Sequence, residues 1–224
     1  MSKASAIIEI YHLGENMNEL EIIARKTGTD KRTNDEGQNI YHGYTDTYYQ
    51  LFANEKYEYQ DILEIGVQSG ASHLMWEEFF PNATIYGIDL GTDPLYKNVS
   101  NDRIKILLAD QTDKGTILEY FKNITFNVVI DDGSHLSKHH QQSFRFLWPK
   151  VKSGGYYIIE DLATCYDRRF RETDDMGSST LYWLESMQYN QPFSYYINPE
   201  ELKNIMREIR YISVVGELGI IAKK

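Results

Sequence analysis

The 224-residue sequence predicts an α/β fold, a mostly parallel seven-stranded sheet with helices on both faces and an antiparallel C-terminal hairpin. Three observations predict it. From residue 61 onward, short apolar runs ending in Gly or Asp alternate with amphipathic stretches, the pattern of alternating strand and helix. The first four runs are nearly continuous rather than alternating, as in parallel strands covered on both faces. The last stretch, YISVVGELGIIAKK, holds two strand-like runs separated only by the turn at Gly216-Glu217. A parallel crossover needs a dozen or more residues, so these two must pair antiparallel.

The elements follow in order. Strands are expected at 61–67 (DILEIGV), 83–90 (ATIYGIDL), 103–110 (RIKILLAD), 126–133 (FNVVIDDG) and 155–162 (GYYIIEDL). Helices are expected at 71–80, 113–121 and 137–148. In the last of these Phe144, Leu147, Trp148 and Val151 recur at i, i+3, i+4 and i+7, a core-facing stripe that ends near Pro149 and Gly154-Gly155. A further helix runs from Pro199 to about Arg210. Residues 1–60 and 163–197 are rich in Tyr, Thr, Asp, Asn and Gly without clear periodicity, and are read as an N-terminal cap and a lid or substrate region. They flank a cofactor-binding core at 61–162, and 198–224 form the closing helix and hairpin. No repeat, low-complexity tract or linker marks a second domain.

Charge excludes some partners. Lys+Arg 23 against Asp+Glu 33 gives −10, a balance that repels nucleic acid and anionic lipid. The single Cys165 can form neither an internal disulfide nor a CxxC metal site, and reads as a buried or incidental thiol in a reducing, cytoplasmic protein. The stretch before Glu9 is too short for a signal-peptide core, and no run approaches the roughly 20 apolar residues of a membrane span.

The residues with chemistry lie at strand ends. Glu64-Ile65-Gly66-Val67-Gln68-Ser69-Gly70 sits where a strand turns into a helix; Gly66 permits a tight turn and Gly70 a close approach of backbone to ligand. Alone it could be an ordinary glycine-punctuated turn, because Gln68 stands where the GxGxxG fingerprint has its middle glycine. Asp89 closes the next strand, where an acid holds a ribose diol, and Asp110-Gln111 closes the third, within reach of an adenine edge. Asp131-Asp132-Gly133-Ser134-His135 and Glu160-Asp161 end the next two strands, so four carboxylates and an imidazole converge on one edge. That negative charge needs compensation. The simplest is Mg²⁺ or Mn²⁺ held by Asp132, Glu160 and Asp161, with His135 as general base toward an acidified alcohol. Asp131 reads first as a helix cap. His139 and His140 are taken as solvated helix residues and left out of the site.

These motifs resemble the class I S-adenosylmethionine-dependent methyltransferases, with ILEIGVQSG, YGIDL and LLAD as the first three motifs and the Rossmann-like sheet with its antiparallel last strand. More narrowly, TGTDK (27–31), YHGYTDTYY (41–49), ILEIGVQSGASHLMW (62–76), VVIDDGSH (128–135) and the segment ending GGYYIIEDL (154–162) resemble the metal-dependent sugar O-methyltransferases of macrolide and glycan modification and their cephalosporin-biosynthesis relatives. The resemblance implies that Glu64, Gly66 and Gly70, with Ser69, hold the methionine end and ribose of S-adenosylmethionine. It implies Asp89 on the ribose hydroxyls, Asp110 and Gln111 on the adenine side, and Asp131 among the cofactor-binding residues. Thr29, Lys31, His42 and Tyr44 would fold over the cofactor, Asp132, Glu160 and Asp161 would bind Mg²⁺, and His135 with Asp132 would be catalytic. The expected acceptor is a hydroxyl of a small molecule or glycan, and relatives of this kind often form homo-oligomers. A catechol-type methyltransferase and a non-catalytic cofactor-binding subunit are the alternative readings; a nicotinamide dehydrogenase is disfavoured by Gln68 and the terminal hairpin.

Overall fold

The computed structural model describes residues 17–36, 41–91, 95, 97 and 99–224. The stretch before Glu9, used above to argue against a leader, lies outside them. Seven strands, β1 (Asp61–Ile65), β2 (Thr84–Asp89), β3 (Ile104–Leu108), β4 (Phe126–Asp131), β5 (Val151–Ile159), β6 (Ile209–Val215) and β7 (Leu218–Lys223), form one sheet in the order β3-β2-β1-β4-β5-β7-β6. β1 to β5 pair in parallel, and β7 runs antiparallel between β5 and β6. The mixed sheet and its terminal hairpin are those the sequence predicts.

Helices α1 (Glu19–Thr27), α2 (Thr45–Phe52) and α3 (Ala71–Phe79) cover one face; α4 (Lys114–Tyr120), α5 (Ser137–Leu147), α6 (Thr180–Gln188) and α7 (Pro199–Glu208) cover the other. Successive strand residues point to opposite faces. Ile62, Ile85, Val128, Ile130, Ile158 and Ile220 therefore pack under α1 to α3 with Leu20, Tyr48, Phe52 and Trp76. Leu63, Ile65, Val129, Tyr157, Ile159 and Ile221 pack under α4 to α7 with Ile117, Phe144, Trp183 and Leu202. This alternation decides which strand-end acids face which side.

Some boundaries differ from expectation. The first four strands stop earlier than predicted because their last residues leave the ladder for ligand-facing loops. β5 begins at Val151 rather than 155, since Val151 pairs with Phe126 across an irregularity before Val128. Ile209 and Arg210 already belong to β6 rather than to the preceding helix. α1, α2 and α6 were not expected as helices. α2 buries Thr45, Tyr48 and Phe52, a stripe part polar and part aromatic, with no aliphatic periodicity to reveal it. α1 has local signals, a side-chain cap from Asn18 to the Glu21 N–H and left-handed Gly28 at its end.

His140 corrects another expectation. It is fully buried between α5 and α6, its Nδ1 2.9 Å from Thr180 Oγ1, rather than solvated. Burial pushes its pKa down to about 3 from 6.5. Between those values the unfolded chain binds a proton that the fold does not, so this residue withdraws stability as pH falls through that window. His140→Gln should therefore gain on the wild-type protein as pH drops from 6.5 toward 4, by up to about 1.4 kcal/mol per pH unit. Urea unfolding at several pH values measures the difference, and a pH-independent gap would show that the imidazole is not held neutral.

Candidate active site

The site lies at the C-terminal edge of β1, β4 and β5, where an open α/β sheet leaves a crevice for ligand. Alternation builds it. Glu64 shares the parity of Ile62, Asp132 that of Ile130 and Glu160 that of Ile158, so all three turn to the face covered by α1 to α3. There Lys31, from the turn after α1, inserts its ammonium among them. Nζ lies 2.6 Å from Asp132 Oδ2, 2.6 Å from Glu160 Oε2 and 3.2 Å from Glu64 Oε1. Lys31, Glu64 and Glu160 are almost wholly enclosed, at 1%, 0% and 1% exposure, whereas Asp132 reaches the surface of the crevice. Burial alone would lower the Lys31 pKa, but Asp132, Glu160 and Glu64 raise it well above its ordinary value, so the group is an ammonium. Burial raises the Asp132 and Glu160 carboxyls, with Lys31 opposing the rise in both.

Other residues hold these acids in place. Tyr48 donates to Glu160 Oε1 at 2.5 Å. Ser72 donates to Glu64 Oε2 at 2.7 Å, with His73 Nδ1 3.0 Å from the same oxygen. Glu64 Oε1 receives no hydrogen bond. Sequence reasoning missed Tyr48, Ser72 and His73. Tyr48 was findable, because it stands four residues after Tyr44 on one helix face.

The outer half of the site gathers around Asp161. Its carboxylate accepts from Tyr44 OH at 2.7 Å and lies 3.2 Å from His42 Nδ1 and 3.7 Å from His135 Nε2. Both Asp161 and His135 have φ of 57°, left-handed conformations that turn their side chains into the crevice. His135 Nδ1 is enclosed without a hydrogen-bond partner, and Phe170 stands edge-on to the ring at 6.2 Å.

Two adjoining cavities, of about 440 and 200 Å³, share Gly66, Asp89 and Gly133 as walls. The larger is bounded by Thr29, Lys31, Ser69, Asp132, His135 and Asp161 among others, the smaller by Ile65, Ile88, Leu90, Ala109, Asp110 and Gln111. The glycine loop between strand and helix forms the floor. Gln68 adopts φ 48°, so it supplies the left-handed backbone that glycine supplies in the fingerprint. Asp89 braces this loop: Oδ2 accepts from the Val67 and Gln68 N–H groups at 2.8 and 3.1 Å, and Oδ1 from Gly91 N at 2.6 Å.

Not every predicted residue meets the crevice as expected. Asp131 has the opposite parity to Asp132 and is fully buried on the α5 side, accepting from Gln111 Nε2 and Tyr157 OH; burial pushes its carboxyl up to about 7. It lines neither cavity and acts as an internal brace. Gln111 borders the smaller cavity, but its amide is committed to Asp131, Ser143 and the Ser134 N–H, so it shapes the wall rather than offering a free edge. Asp110 stays at the rim, with Oδ1 taken by Thr112. His42 and Tyr44 reach Asp161, and neither lines a cavity. Glu64 faces Lys31 and His73. Lys31 lines the larger cavity, and its ammonium is paired with the Asp132, Glu160 and Glu64 carboxylates.

The expected metal trio is also divided. Among the described residues, donor atoms lie within 4.8 Å of one another in Glu64–Asp132–Glu160, Asp132–His135–Asp161 and His42–Asp161–Glu217. Asp132, Glu160 and Asp161 do not form one such group, because Glu160 turns inward to Lys31 and Tyr48.

The sheet order, the antiparallel β7 and the glycine loop at the floor of the crevice define the class I methyltransferase fold. No protein-family model matches the chain. In sequence it is similar to the demethylmacrocin O-methyltransferase of Streptomyces fradiae, 36% identical over 148 residues, 62% of this chain and 37% of that protein. It is also 36% identical over 135 residues to the 8-demethyl-8-(2-methoxy-α-L-rhamnosyl)-tetracenomycin-C 3'-O-methyltransferase of Streptomyces olivaceus, 57% of this chain and 34% of that one. The chain thus spans little more than a third of these curated relatives. Among solved structures, the MycE methyltransferase of the mycinamycin biosynthetic pathway, in complex with Mg and SAH, superposes with a TM-score of 0.77 at 28% identity, over 94% of this chain and 56% of that one.

The loop gives a stability prediction. A Cβ on Gly66, at φ +93°, would stand 2.0 Å from the Asp132 carbonyl oxygen. Gly66→Ala should cost about 3 kcal/mol or more in urea unfolding, from strain and collision together. Gly154→Ala, at φ +78° in open space, should cost only about 1 kcal/mol. Equal costs would show that the loop does not press on Asp132.

Proposed function

We propose that the chain is an S-adenosylmethionine-dependent, Mg²⁺-dependent O-methyltransferase acting on a sugar hydroxyl of a glycan, glycoside or natural product, with Mn²⁺ as an alternative ion. The observation that carries this reading is the convergence of Asp132, Asp161 and His135 on a cavity floored by the glycine loop. The relative from Streptomyces olivaceus, named for 3'-O-methylation of a rhamnosyl tetracenomycin, and the Mg- and SAH-bound MycE structure support it.

The residues suit the cofactor. The smaller cavity has apolar walls from Ile65, Ile88, Leu90 and Ala109 for a flat base, and Asp89 stands between the two cavities, where a ribose would pass. Ser69 and Thr29 line the larger cavity, on the side left for the methionine end. The donor set also suits a hard divalent ion, since Asp132 and Asp161 offer carboxylate oxygens and an ammonium already seated on Asp132 and Glu160 stands in for a cation. Glu160 supports Asp132 from behind through their shared lysine.

Methyl transfer from a sulfonium needs in-line attack by an oxygen that is losing its proton, so the protein must position and deprotonate. When bound, the divalent ion would acidify and orient the acceptor hydroxyl. His135, facing the cavity, takes that proton, and Asp161 beside its Nε2 stabilises the resulting imidazolium. The methyl–sulfur bond breaks as the new methyl–oxygen bond forms, leaving S-adenosylhomocysteine. The edge-on contact of Phe170 with His135 supports reading residues 163–197 as a substrate region.

Calorimetric titration should show saturable S-adenosylmethionine binding with Mg²⁺ present and none of NAD; the reverse would overturn the reading. His135→Ala and Asp132→Ala should each lower methyl transfer to a rhamnoside by at least about 100-fold while S-adenosylhomocysteine binding changes little. Near-wild-type turnover in either variant would remove that residue from its role, and turnover on catechols alone would change the acceptor class.

A further inference from the structure

Among the described residues, no hydrogen bond holds the ring of His135. Nδ1 is enclosed without a partner, and Nε2 lies 3.7 Å from Asp161 Oδ2, beyond hydrogen-bond reach. The aim of the imidazole is therefore set by the backbone that carries it, at φ 57°. That backbone is tied at two points just before His135. The Asp132 N–H donates to the Ile65 carbonyl at 2.9 Å, and the Ser134 N–H donates to Gln111 Oε1 at 2.8 Å.

A glutamine amide can present oxygen or nitrogen to the same place, and its surroundings decide which. Here Nε2 has two acceptors, Asp131 Oδ1 and Ser143 Oγ, each at 3.1 Å, and Ser143 Oγ donates its own hydrogen to the His139 carbonyl at 2.8 Å. Asp131 is held in turn by Tyr157 OH at 2.9 Å. Both hydrogens on the amide nitrogen are thus used inside the fold, and Oε1 is left facing Ser134. The fit against the loop is close, since a Cβ on Gly133 would stand 2.5 Å from Gln111 Oε1.

We propose that Gln111 is a positioning residue for His135: its amide, oriented by Asp131 and Ser143, grips the Ser134 N–H and fixes the turn that presents the imidazole to the cavity. The inference rests on the reading in which His135 takes the acceptor's proton. A Gln111 that only filled space would act on stability alone, and one that contacted the adenine would act on cofactor affinity. Neither would move the imidazole.

The test combines three measurements on the full chain: kcat for a rhamnoside at saturating S-adenosylmethionine, S-adenosylhomocysteine affinity by calorimetry, and the ring nitrogen NMR signals of His135, assigned by their loss in His135→Ala. Gln111→Met keeps the length of the side chain and removes its hydrogen bonds. It should lower kcat by at least about tenfold, because a small misplacement of a reacting group is enough for that, while S-adenosylhomocysteine affinity stays within about threefold. The His135 signals should shift or broaden. Tyr157→Phe removes a different hydrogen bond to Asp131, and should lower the melting temperature with kcat and the His135 signals unchanged. Asp131→Asn keeps an acceptor for Gln111 Nε2 and should keep most of the wild-type kcat, whereas Asp131→Leu should lose it as Gln111→Met does. That pair of variants decides the question should Gln111→Met fail to fold. Unmoved His135 signals or an unchanged kcat in Gln111→Met overturns the inference, as does an equal fall of kcat in Tyr157→Phe. So does a roughly tenfold loss of S-adenosylhomocysteine affinity with kcat intact, which would place Gln111 on the adenine. If the wild-type chain turns over no rhamnoside, the sugar reading falls and the His135 signals alone decide: movement in Gln111→Met upholds the positioning, and no movement overturns it.

Discussion

The enclosed contact of Lys31 with three carboxylates is the constraint on which the rest of the site depends. A lone carboxylate or ammonium in such a place would be strongly penalised, and removing one partner from a buried pair typically costs about 3–5 kcal/mol. Each group is therefore committed to the others. Lys31 comes from the turn between α1 and α2, while Glu64, Asp132 and Glu160 come from three different strands, so the contact ties the cap to the sheet edge. Tyr44 and Tyr48, just before and on α2, add a second attachment through Asp161 and Glu160. The cap is held by the acids that form the site, and the acids are held by the cap.

Much of the fold was legible in the sequence because its signals are local. Apolar runs, the Gly66–Gly70 turn and the two-residue hairpin loop each act over a few residues, and the parallel sheet with its antiparallel end follows from them. The cap helices were less legible, since the buried faces of α1 and α2 mix Glu21, Thr45 and Tyr48 with apolar residues. Those polar groups are satisfied by one another: Thr45 and Thr33 both donate to Glu21, and Arg25 pairs with it. A network closed by tertiary contact leaves no periodic trace.

The candidate site was legible as a set of residues but not as an arrangement. Strand parity separates Asp131 from Asp132: Asp131 continues the face of Val129 toward Gln111 and Tyr157, and Asp132 continues the face of Ile130 toward Lys31. That division follows from alternation alone and was available in FNVVIDD. The role of Lys31 was not, because Asp132 and Glu160 lie 101 and 129 residues away and no local rule selects a lysine to meet them.

Parity also explains the backbone strain. Gln68, His135 and Asp161, at φ 48°, 57° and 57°, each follow the end of one of the adjacent strands β1, β4 and β5. By alternation Asp161 would continue the face of Ile159, away from the cap; the left-handed turn instead brings it to Tyr44, His42 and His135. Such conformations cost about 1–3 kcal/mol each and persist only where surrounding contacts fix them. Here those contacts include the Asp89 brace under Gln68 and the Tyr44 hydroxyl on Asp161. The cost falls where the crevice needs side chains aimed against the pleat, so the acids and imidazole stand preorganised before any ligand enters.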